Sequence, residues 1–276
     1  MSECYGDCFI KNNEILSKEE FKDININEGI SLYEVIRIIE GTPVFLRRHL
    51  NRLLDSAGIV QQHIWLEMDE IKKYIKQVIK KNNIEDGNIK LVFNIKGEEK
   101  TFYAYFIESH YPSEKQYRDG VYTVLCFMER SNPKAKVINK DLREATNDLM
   151  KESGAYEAIL VNKNNSITEG SRSNIFMVKG NRVITAPLNT VLPGITRGII
   201  IETCNSLGII VEEAEVNFKE IKSMDAIFIS GTSPKILPIN KINDFILHSS
   251  TNMIVQSIMR HYNRIIIEDI IQNREN

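Results

Sequence analysis

Residues 166–176 read SITEGSRSNIF, and this stretch decides the fold more than any other part of the chain. It places one carboxylate, Glu169, at the end of a β-rich run and follows it at once with glycine and small polar residues. The apolar residues 175–178 come next and predict a buried strand. A buried acid at a strand end needs a cationic partner, or it takes up a proton instead. The stretch therefore predicts a buried carboxylate that is paired with a positive charge.

Length and composition narrow the class of protein. The chain has 276 residues, of which 42% are hydrophobic, and this is enough for one large domain or two modest ones. A formal net charge of −2 argues against a nucleic-acid partner. No apolar run approaches the roughly 20 residues that a membrane-spanning helix requires. The first residues also lack the basic and apolar pattern of a signal peptide, so we expect a soluble cytoplasmic protein with no membrane partner.

The four cysteines do not form a metal-binding pattern. Cys4 and Cys8 lie close together, but no CxxC spacing and no neighbouring histidine accompanies them. Cys126 and Cys204 are far from these two and from each other. We expect reduced thiols and no metal site.

The pattern of apolar residues divides the chain into two parts. In the first part we predict strands at 31–39 and 44–45, helices at 47–58 and 67–82, and a hairpin of 88–96 with 101–109. Residues 110–120 are predicted to be a linker. In the second part we predict strands at 121–128, 156–162, 166–168, 173–179, 182–186, 209–216 and 225–230, and helices at 142–153, 195–207 and 251–271. The expected organisation is a small α+β domain over residues 1–115 and a larger domain over residues 116–276.

Two short loops have the composition of a phosphate-binding site. Residues 193–196 read PGIT and precede a predicted helix, whose N terminus offers N–H groups and the positive end of the helix dipole. Gly231, Thr232 and Ser233 form a second small-residue loop after a predicted strand. Pro-Gly before a helix is usually only a cap, but two such loops downstream of an isolated acid make a stronger case. Arg52 could add two parallel hydrogen bonds, although the composition of its segment alone favours a solvated helix residue.

A lysine that bonds covalently to a cofactor must be partly desolvated, so that its amine is neutral and nucleophilic. Lys134, Lys136 and Lys140 lie in one short segment. Lys136 has the most apolar setting of the three because Ala135 and Val137 flank it. A solvated basic loop stays open as the alternative. Together, the lysine, the acid and the phosphate loops indicate pyridoxal phosphate, whose ring nitrogen a carboxylate keeps protonated.

Five motifs make the chain resemble the class IV pyridoxal-phosphate aminotransferases. The motifs are LYEVIRI, HLNRL, ITEGSRSNIF, LPGITR and SGTS, and they extend from about residue 31 to residue 239. The family contains branched-chain aminotransferases, D-amino-acid aminotransferases and aminodeoxychorismate lyases. The resemblance implies an α+β fold of type IV, with a small N-terminal α/β domain and a larger C-terminal domain that has a β-barrel-like sheet and helices. It also implies a homodimer with the active site between the two domains and near the partner chain.

The resemblance assigns roles to residues by motif. Lys136 stands eighteen residues before Gly154, as the cofactor-binding lysine does in the family, and this favours it over Lys140. Glu169 matches the carboxylate that faces the pyridine nitrogen. The phosphate-binding positions of the family are matched by Arg52, Ile195, Thr196 and Thr232. The substrate-binding positions are matched by Tyr33, Thr232 and Ser233.

The substrate-binding patterns of the subfamilies are not intact in this chain. Branched-chain enzymes carry a Tyr and an Arg where this chain shows Asn88 and Lys90. D-amino-acid enzymes carry an Arg and a His where it shows Lys96 and Glu98. Lys does not replace Arg faithfully in carboxylate recognition because it lacks the planar two-donor fork. Substrate identity and stereochemistry therefore stay open.

Three functions are compatible with these residues. We expect a transferase that moves an amino group between an amino acid, branched-chain-like or D-configured, and a 2-oxo acid. In it, Lys136 would act as the general base on the substrate. The first alternative is a lyase that converts aminodeoxychorismate to pyruvate and p-aminobenzoate, which the run Tyr33-Glu34-Val35 disfavours. The second alternative is a homologue that binds pyridoxal phosphate without turnover, which the presence of both Lys136 and Glu169 disfavours.

Overall fold

A computed structural model describes residues 3–274 of the chain and, for Asp23, the backbone alone. These residues form two units. The first comprises residues 3–110, 135–138 and 266–274, and the second comprises residues 111–134 and 139–265. Two segments that lie later in the sequence, 135–138 and 266–274, thus group with the first unit. A single boundary after residue 115 does not describe this division. The domain limits 1–115 and 116–276 stay a prediction.

An antiparallel sheet and two long helices form most of the first unit. Its strands are β1 (Cys8–Lys11), β2 (Glu14–Ser17), β3 (Ile30–Ile39), β4 (Thr42–Pro43), β5 (Gly87–Lys96) and β6 (Glu99–Ile107). Its helices are α1 (Leu46–Ile59) and α2 (Met68–Asn82), with a 3-10 helix at Lys18–Asp23. The strand order is β2-β1-β6-β5-β3-β4.

The two faces of this sheet have separate cores because successive side chains of a strand point to opposite sides. Leu32 and Ile36 of β3 belong to a hydrophobic cluster that includes buried residues of α1 and α2. Tyr33 belongs to a second cluster, together with Phe21 and Tyr105. The alternation along β3 therefore places Tyr33 and its neighbours in sequence on different faces.

The second unit contains the remaining strands. They are β7 (Val121–Cys126), β8 (Glu157–Val161), β9 (Ser166–Gly170), β10 (Asn174–Lys179), β11 (Arg182–Thr185), β12 (Ile210–Glu213), β13 (Val216–Asn217), β14 (Ala226–Gly231), β15 (Lys235–Ile242) and β16 (Phe245–Ile246). The helices are α3 (Glu114–Asp119), α4 (Lys140–Ser153), α5 (Ile195–Ser206) and α6 (Met253–Arg274), whose last residues group with the first unit. Short 3-10 helices occur at Leu188–Thr190, Phe218–Ser223 and Ser249–Thr251.

Six strands of this unit close into a ring in the order β7-β8-β9-β10-β14-β15. The ring closes where β9 pairs with β10, at Glu169 and Asn174. Buried aliphatic residues of these strands, such as Ile159, Ile175 and Ile229, form one core cluster. The expected α+β architecture with a barrel-like sheet is thus confirmed. Among residues 3–274, no helix has both the length and the apolar character needed to cross a bilayer.

Some local predictions were wrong, and each has a local cause. Residues 110–120 are not an open linker but include α3, which begins where Ser113 Oγ accepts the N–H of Gln116 at 3.3 Å. The second short strand lies at 42–43 rather than 44–45, since Phe45 has a φ of 54° and precedes α1 directly.

The limits of other predicted elements also shift. Gly58 does not end α1, which continues to Ile59. The strand predicted at 209–216 is divided into β12 and β13. The loop at Gly231 leads into β15, a strand that was not predicted.

Candidate functional site

A buried cluster of charges in the first unit holds Arg52. Glu34 of β3 is fully buried, and its two carboxylate oxygens accept hydrogen bonds from Nε and Nη2 of Arg52, both at 2.7 Å. Nδ1 of His49 lies 2.8 Å from Glu34 Oε2. His49 and Arg52 are three residues apart on α1, so one helix face directs both side chains to the same carboxylate. Arg52 is therefore a buried ion-pair residue and not a solvated helix residue.

The balance of charge and burial keeps Glu34 ionised. Burial raises the pKa of Glu34, but the charge of Arg52 and the hydrogen bonds from His49 and Arg52 outweigh it and lower the pKa from 4.5 to about 2. Burial also lowers the pKa of His49, and this outweighs the opposing effect of Glu34. A neutral His49 donates through Nδ1–H, because an ionised carboxylate can only accept.

Lys136 lies against β3 in the same unit. Its carbonyl oxygen accepts the N–H of Tyr33 at 3.0 Å, and its own N–H donates to Ser56 Oγ of α1 at 3.2 Å. The Nζ atom of Lys136 lies 4.5 Å from the centre of the Tyr33 ring. The structure therefore brings together two residues to which the family resemblance assigned roles, Lys136 and Tyr33.

Glu169 lies at the point where the ring of the second unit closes, and it is buried. Its Oε1 accepts a hydrogen bond from Arg130 Nε at 2.9 Å, and its Oε2 accepts the N–H of Leu192 at 3.2 Å. Arg130 Nη2 also donates to the carbonyl oxygen of Ser171 at 3.2 Å. The cationic partner that a buried acid requires is thus present within the protein. Arg130 was not predicted from the sequence, where a cofactor nitrogen was the only partner considered for Glu169.

Glu169 belongs to a row of polar side chains that crosses three strands. Glu169 pairs with Asn174 of β10, and Asn174 pairs with Ser230 of β14. Directly opposed residues of antiparallel strands point to the same side of a sheet, so the three side chains are neighbours. Asn174 Nδ2 donates to the carbonyl oxygen of Leu192 at 2.9 Å. The buried Ser230 Oγ has no hydrogen-bond partner within the described part of the chain.

The start of α5 lies beside this row. Gly194 is the residue before the helix, and Ile195 and Thr196 are its first two members. A Cβ atom on Gly194 would lie 2.0 Å from Asn174 Oδ1, so a side chain here would have to displace the Asn174 amide. Thr196 is buried, and its Oγ1 lies 3.3 Å from the hydroxyl of Tyr262. A helix start with exposed N–H groups and a positive dipole end can bind an anion.

Thr232 and Ser233 lie in a tight turn between β14 and β15. Gly231 pairs with Lys235, so the turn is only three residues long, and it provides no helix dipole. The Tyr117 hydroxyl of α3 donates to the carbonyl oxygen of Pro234 at 3.0 Å and supports the turn. Thr232 is only two residues after Ser230, the last member of the polar row.

Glu157 of β8 supports the connection between β9 and β10. Its Oε1 accepts the N–H of Ser171 at 3.2 Å, and its Oε2 accepts the hydroxyl of Ser173 at 3.0 Å. The carboxylate is buried and therefore fixes the backbone just after Glu169. No role was predicted for Glu157 from the sequence. Among the described residues, no group of His, Cys, Asp and Glu could hold a metal ion.

Comparisons with known proteins agree with this architecture. A sequence profile of the family described as amino-transferase class IV matches residues 31–242, more than half of the chain. D-alanine aminotransferase of Bacillus licheniformis is 29% identical over 248 residues, which cover 84% of this chain and 87% of that protein. Aminodeoxychorismate lyase of Bacillus subtilis (strain 168) is 24% identical over 242 residues, 78% of each chain.

A solved structure shows the same fold. The branched-chain amino acid aminotransferase of T.th., complexed with N-(5'-phosphopyridoxyl)-L-glutamate, has a TM-score of 0.84 and 20% identity and covers 96% of each chain. At this level of identity the likeness shows the fold alone, and it confirms the expected fold class. Taken with the family profile, it leads to one assignment: the chain is an enzyme of the class IV aminotransferase family.

Proposed function

We propose that this enzyme uses pyridoxal phosphate to move an amino group between an amino acid, branched-chain-like or D-configured, and a 2-oxo acid. One observation carries the proposal. Leu192 donates its N–H to Glu169, and only three residues later α5 begins at Ile195. One loop thus joins an acid suited to a pyridine nitrogen and a helix start suited to a phosphate.

Features of the second unit suit this cofactor. The ion pair with Arg130 favours the charged form of Glu169, which is the form that a protonated ring nitrogen needs. The buried Ser230 hydroxyl lacks a partner among the described residues, and a bound group can supply one. The phosphopyridoxyl compound in the solved relative is further support, because it belongs to the same class of molecule.

Lys136 and Arg52 would supply the covalent attachment and a phosphate ligand. Lys136 would bond to the cofactor through Nζ, which lies against Tyr33. Arg52 would contact the phosphate with a guanidinium whose plane is fixed by two hydrogen bonds to Glu34. Fixing this plane in advance reduces the entropy lost on binding.

Each remaining residue would have a defined chemical role. When bound, pyridoxal phosphate supplies a protonated ring that withdraws electrons from the substrate Cα. Glu169 would hold the proton at the ring nitrogen, and Lys136 Nζ would take the proton from the substrate Cα. The other phosphate ligands would be Ile195, Thr196 and Thr232, and the substrate contacts would be Tyr33, Thr232 and Ser233. A homodimer and a cytoplasmic location complete the proposal on the strength of the family resemblance.

The likeness to aminodeoxychorismate lyase favours a second candidate function. In that case the same residues would release pyruvate and p-aminobenzoate from aminodeoxychorismate. The two functions differ in whether an amino acid donates its amino group to the cofactor.

An amino-donor screen separates the candidates. The purified protein is loaded with pyridoxal phosphate, and L-leucine, D-alanine and the other amino acids and enantiomers are added singly while the cofactor absorbance is followed. We expect an absorbance change with at least one donor, together with the matching 2-oxo acid. Pyruvate released from aminodeoxychorismate without any amino donor would assign the lyase. No response in either assay would contradict both functions.

A further inference from the structure

A second lysine lies beside the Tyr33 ring. Lys90 of β5 has a side chain only 3% exposed, and its Nζ lies 5.3 Å from the centre of that ring. Lys136 Nζ lies 4.5 Å from the same centre. Because both distances are measured to the centre of the same ring, the two nitrogens are no more than 9.8 Å apart.

This upper limit is compatible with a small molecule that has two functional ends. An extended five-carbon amino acid measures about 6 Å from its amino nitrogen to its distal carboxylate, by standard bond lengths. A charge-assisted hydrogen bond adds about 2.8 Å. A dicarboxylic amino acid whose amino group is at Lys136 could therefore bring its second carboxylate to Lys90.

Lys90 already binds a carboxylate from the same chain. Its Nζ donates to both oxygens of Glu3, at 2.7 and 2.9 Å, and the Tyr105 hydroxyl donates to Glu3 Oε2 at 2.9 Å. Lys90 and Tyr105 are buried, but the Glu3 side chain is 36% exposed. A buried ammonium needs an anion. Glu3 is the partly exposed member of the Lys90–Glu3 ion pair, so it is the member that another carboxylate can replace.

We propose that the Lys90 ammonium and the Tyr105 hydroxyl form a carboxylate subsite beside Lys136, and that Glu3 is its built-in occupant. A substrate's second carboxylate must displace Glu3 before it can bind there. The protein therefore selects amino acids and 2-oxo acids whose side chains carry no negative charge. This inference rests on the proposed function and narrows its substrate class.

A purely structural ion pair would behave differently. Removing Glu3 would then change the stability of the first unit but not the choice of ligand. A subsite that Glu3 occupies should instead gain affinity for dicarboxylates when Glu3 loses its charge, because the buried Lys90 ammonium then attracts the ligand carboxylate.

Two unreactive acids of equal length provide the test. Glutarate and pentanoate both have five carbons but differ in the second carboxylate, and their affinities are measured by calorimetry on the full-length protein. In Glu3→Gln and Glu3→Ala we expect at least tenfold tighter binding of glutarate, with pentanoate within twofold of the wild-type value. The double variant Glu3→Gln/Lys90→Met should lose the gain. The matched control is Glu28→Gln, which removes an exposed carboxylate that pairs with Lys96, and it should bind both acids as the wild type does.

Three results would overturn the inference. One is an unchanged glutarate affinity in both Glu3 variants, and another is an equal gain for pentanoate. The third is a gain that persists after Lys90 is replaced. The binding of either acid can be measured without pyridoxal phosphate. A separate record of cofactor absorbance therefore shows whether the proposed function fails independently of this inference.

Discussion

Replacing Glu34 with glutamine tests whether a buried charge cluster organises the first unit. Glu34 accepts two hydrogen bonds from Arg52 and lies 2.8 Å from His49 Nδ1, with no exposure to solvent. Lowering its pKa from 4.5 to about 2 corresponds to about 3 kcal/mol in favour of the ionised form, since a tenfold change in a proton equilibrium is worth about 1.4 kcal/mol. Glu34→Gln removes that charge and leaves the Arg52 guanidinium buried without its counterion. We therefore expect the free energy of unfolding at pH 7 to fall by about 3 kcal/mol.

The pH dependence of this loss has a definite sign. Because the folded-state pKa of Glu34 is lowered, its stabilising contribution is fully present above pH 4.5 and is lost as the pH falls toward 2. The difference between wild type and Glu34→Gln should thus be constant from pH 7 to about 4.5 and shrink below that.

Urea unfolding followed by tryptophan fluorescence measures this difference. Trp65 is the single tryptophan of the chain, and it packs in the first unit with its ring centre 5.2 Å from that of Phe93. Glu28→Gln serves as the control because Glu28 is exposed, and it should change the free energy of unfolding by less than about 0.5 kcal/mol. A loss below about 1 kcal/mol for Glu34→Gln, or a difference that does not shrink in acid, would refute the reasoning.

Two further predictions concern the second unit. Arg130→Gln should weaken pyridoxal phosphate binding at least tenfold in an absorbance titration, because Glu169 loses the positive charge that favours its ionised form. Arg130→Lys should restore part of the lost affinity. An affinity of Arg130→Gln equal to that of the wild type would contradict this role for Arg130. Gly194→Ala should cost about 1–3 kcal/mol in thermal unfolding, because the new Cβ would meet Asn174 Oδ1 at 2.0 Å. Gly198→Ala on the same helix meets nothing within 4 Å and should be neutral or stabilising by up to about 1 kcal/mol, so similar losses in both variants would rule out the clash.

Helices and strands with a regular spacing of apolar residues were predictable from the sequence, and other elements were not. Helix α2 and the hairpin of β5 and β6 lie within a few residues of their predicted limits. Strand β2 is mostly exposed at the edge of its sheet and so lacks the alternation that indicates a half-buried strand. Strand β15 contains Pro238, and proline argues against a strand in a sequence even though Pro238 pairs with Phe228 here.

The residues of the candidate site also fall into those that could be predicted from the sequence and those that could not. Glu169 could be selected from the composition of the segment around it, whereas the choice of Lys136 also needed the family resemblance. Their partners could not, since Arg130 lies 39 residues before Glu169, and Glu34 lies 18 residues before Arg52. Pairs this far apart in sequence meet only through the fold. The spacing of His49 and Arg52 places both side chains on one helix face, but it does not identify Glu34 as their common partner.

The identity of the cofactor-binding lysine is tested most directly by chemical trapping. The protein is incubated with pyridoxal phosphate, reduced with borohydride and digested, and the modified peptide is identified by mass spectrometry. We expect one phosphopyridoxyl group on the peptide that contains Lys136, and none after Lys136→Ala. A label on Lys134, Lys140 or Lys90 instead, or no label at all, would contradict the assignment of Lys136 as the cofactor-binding residue.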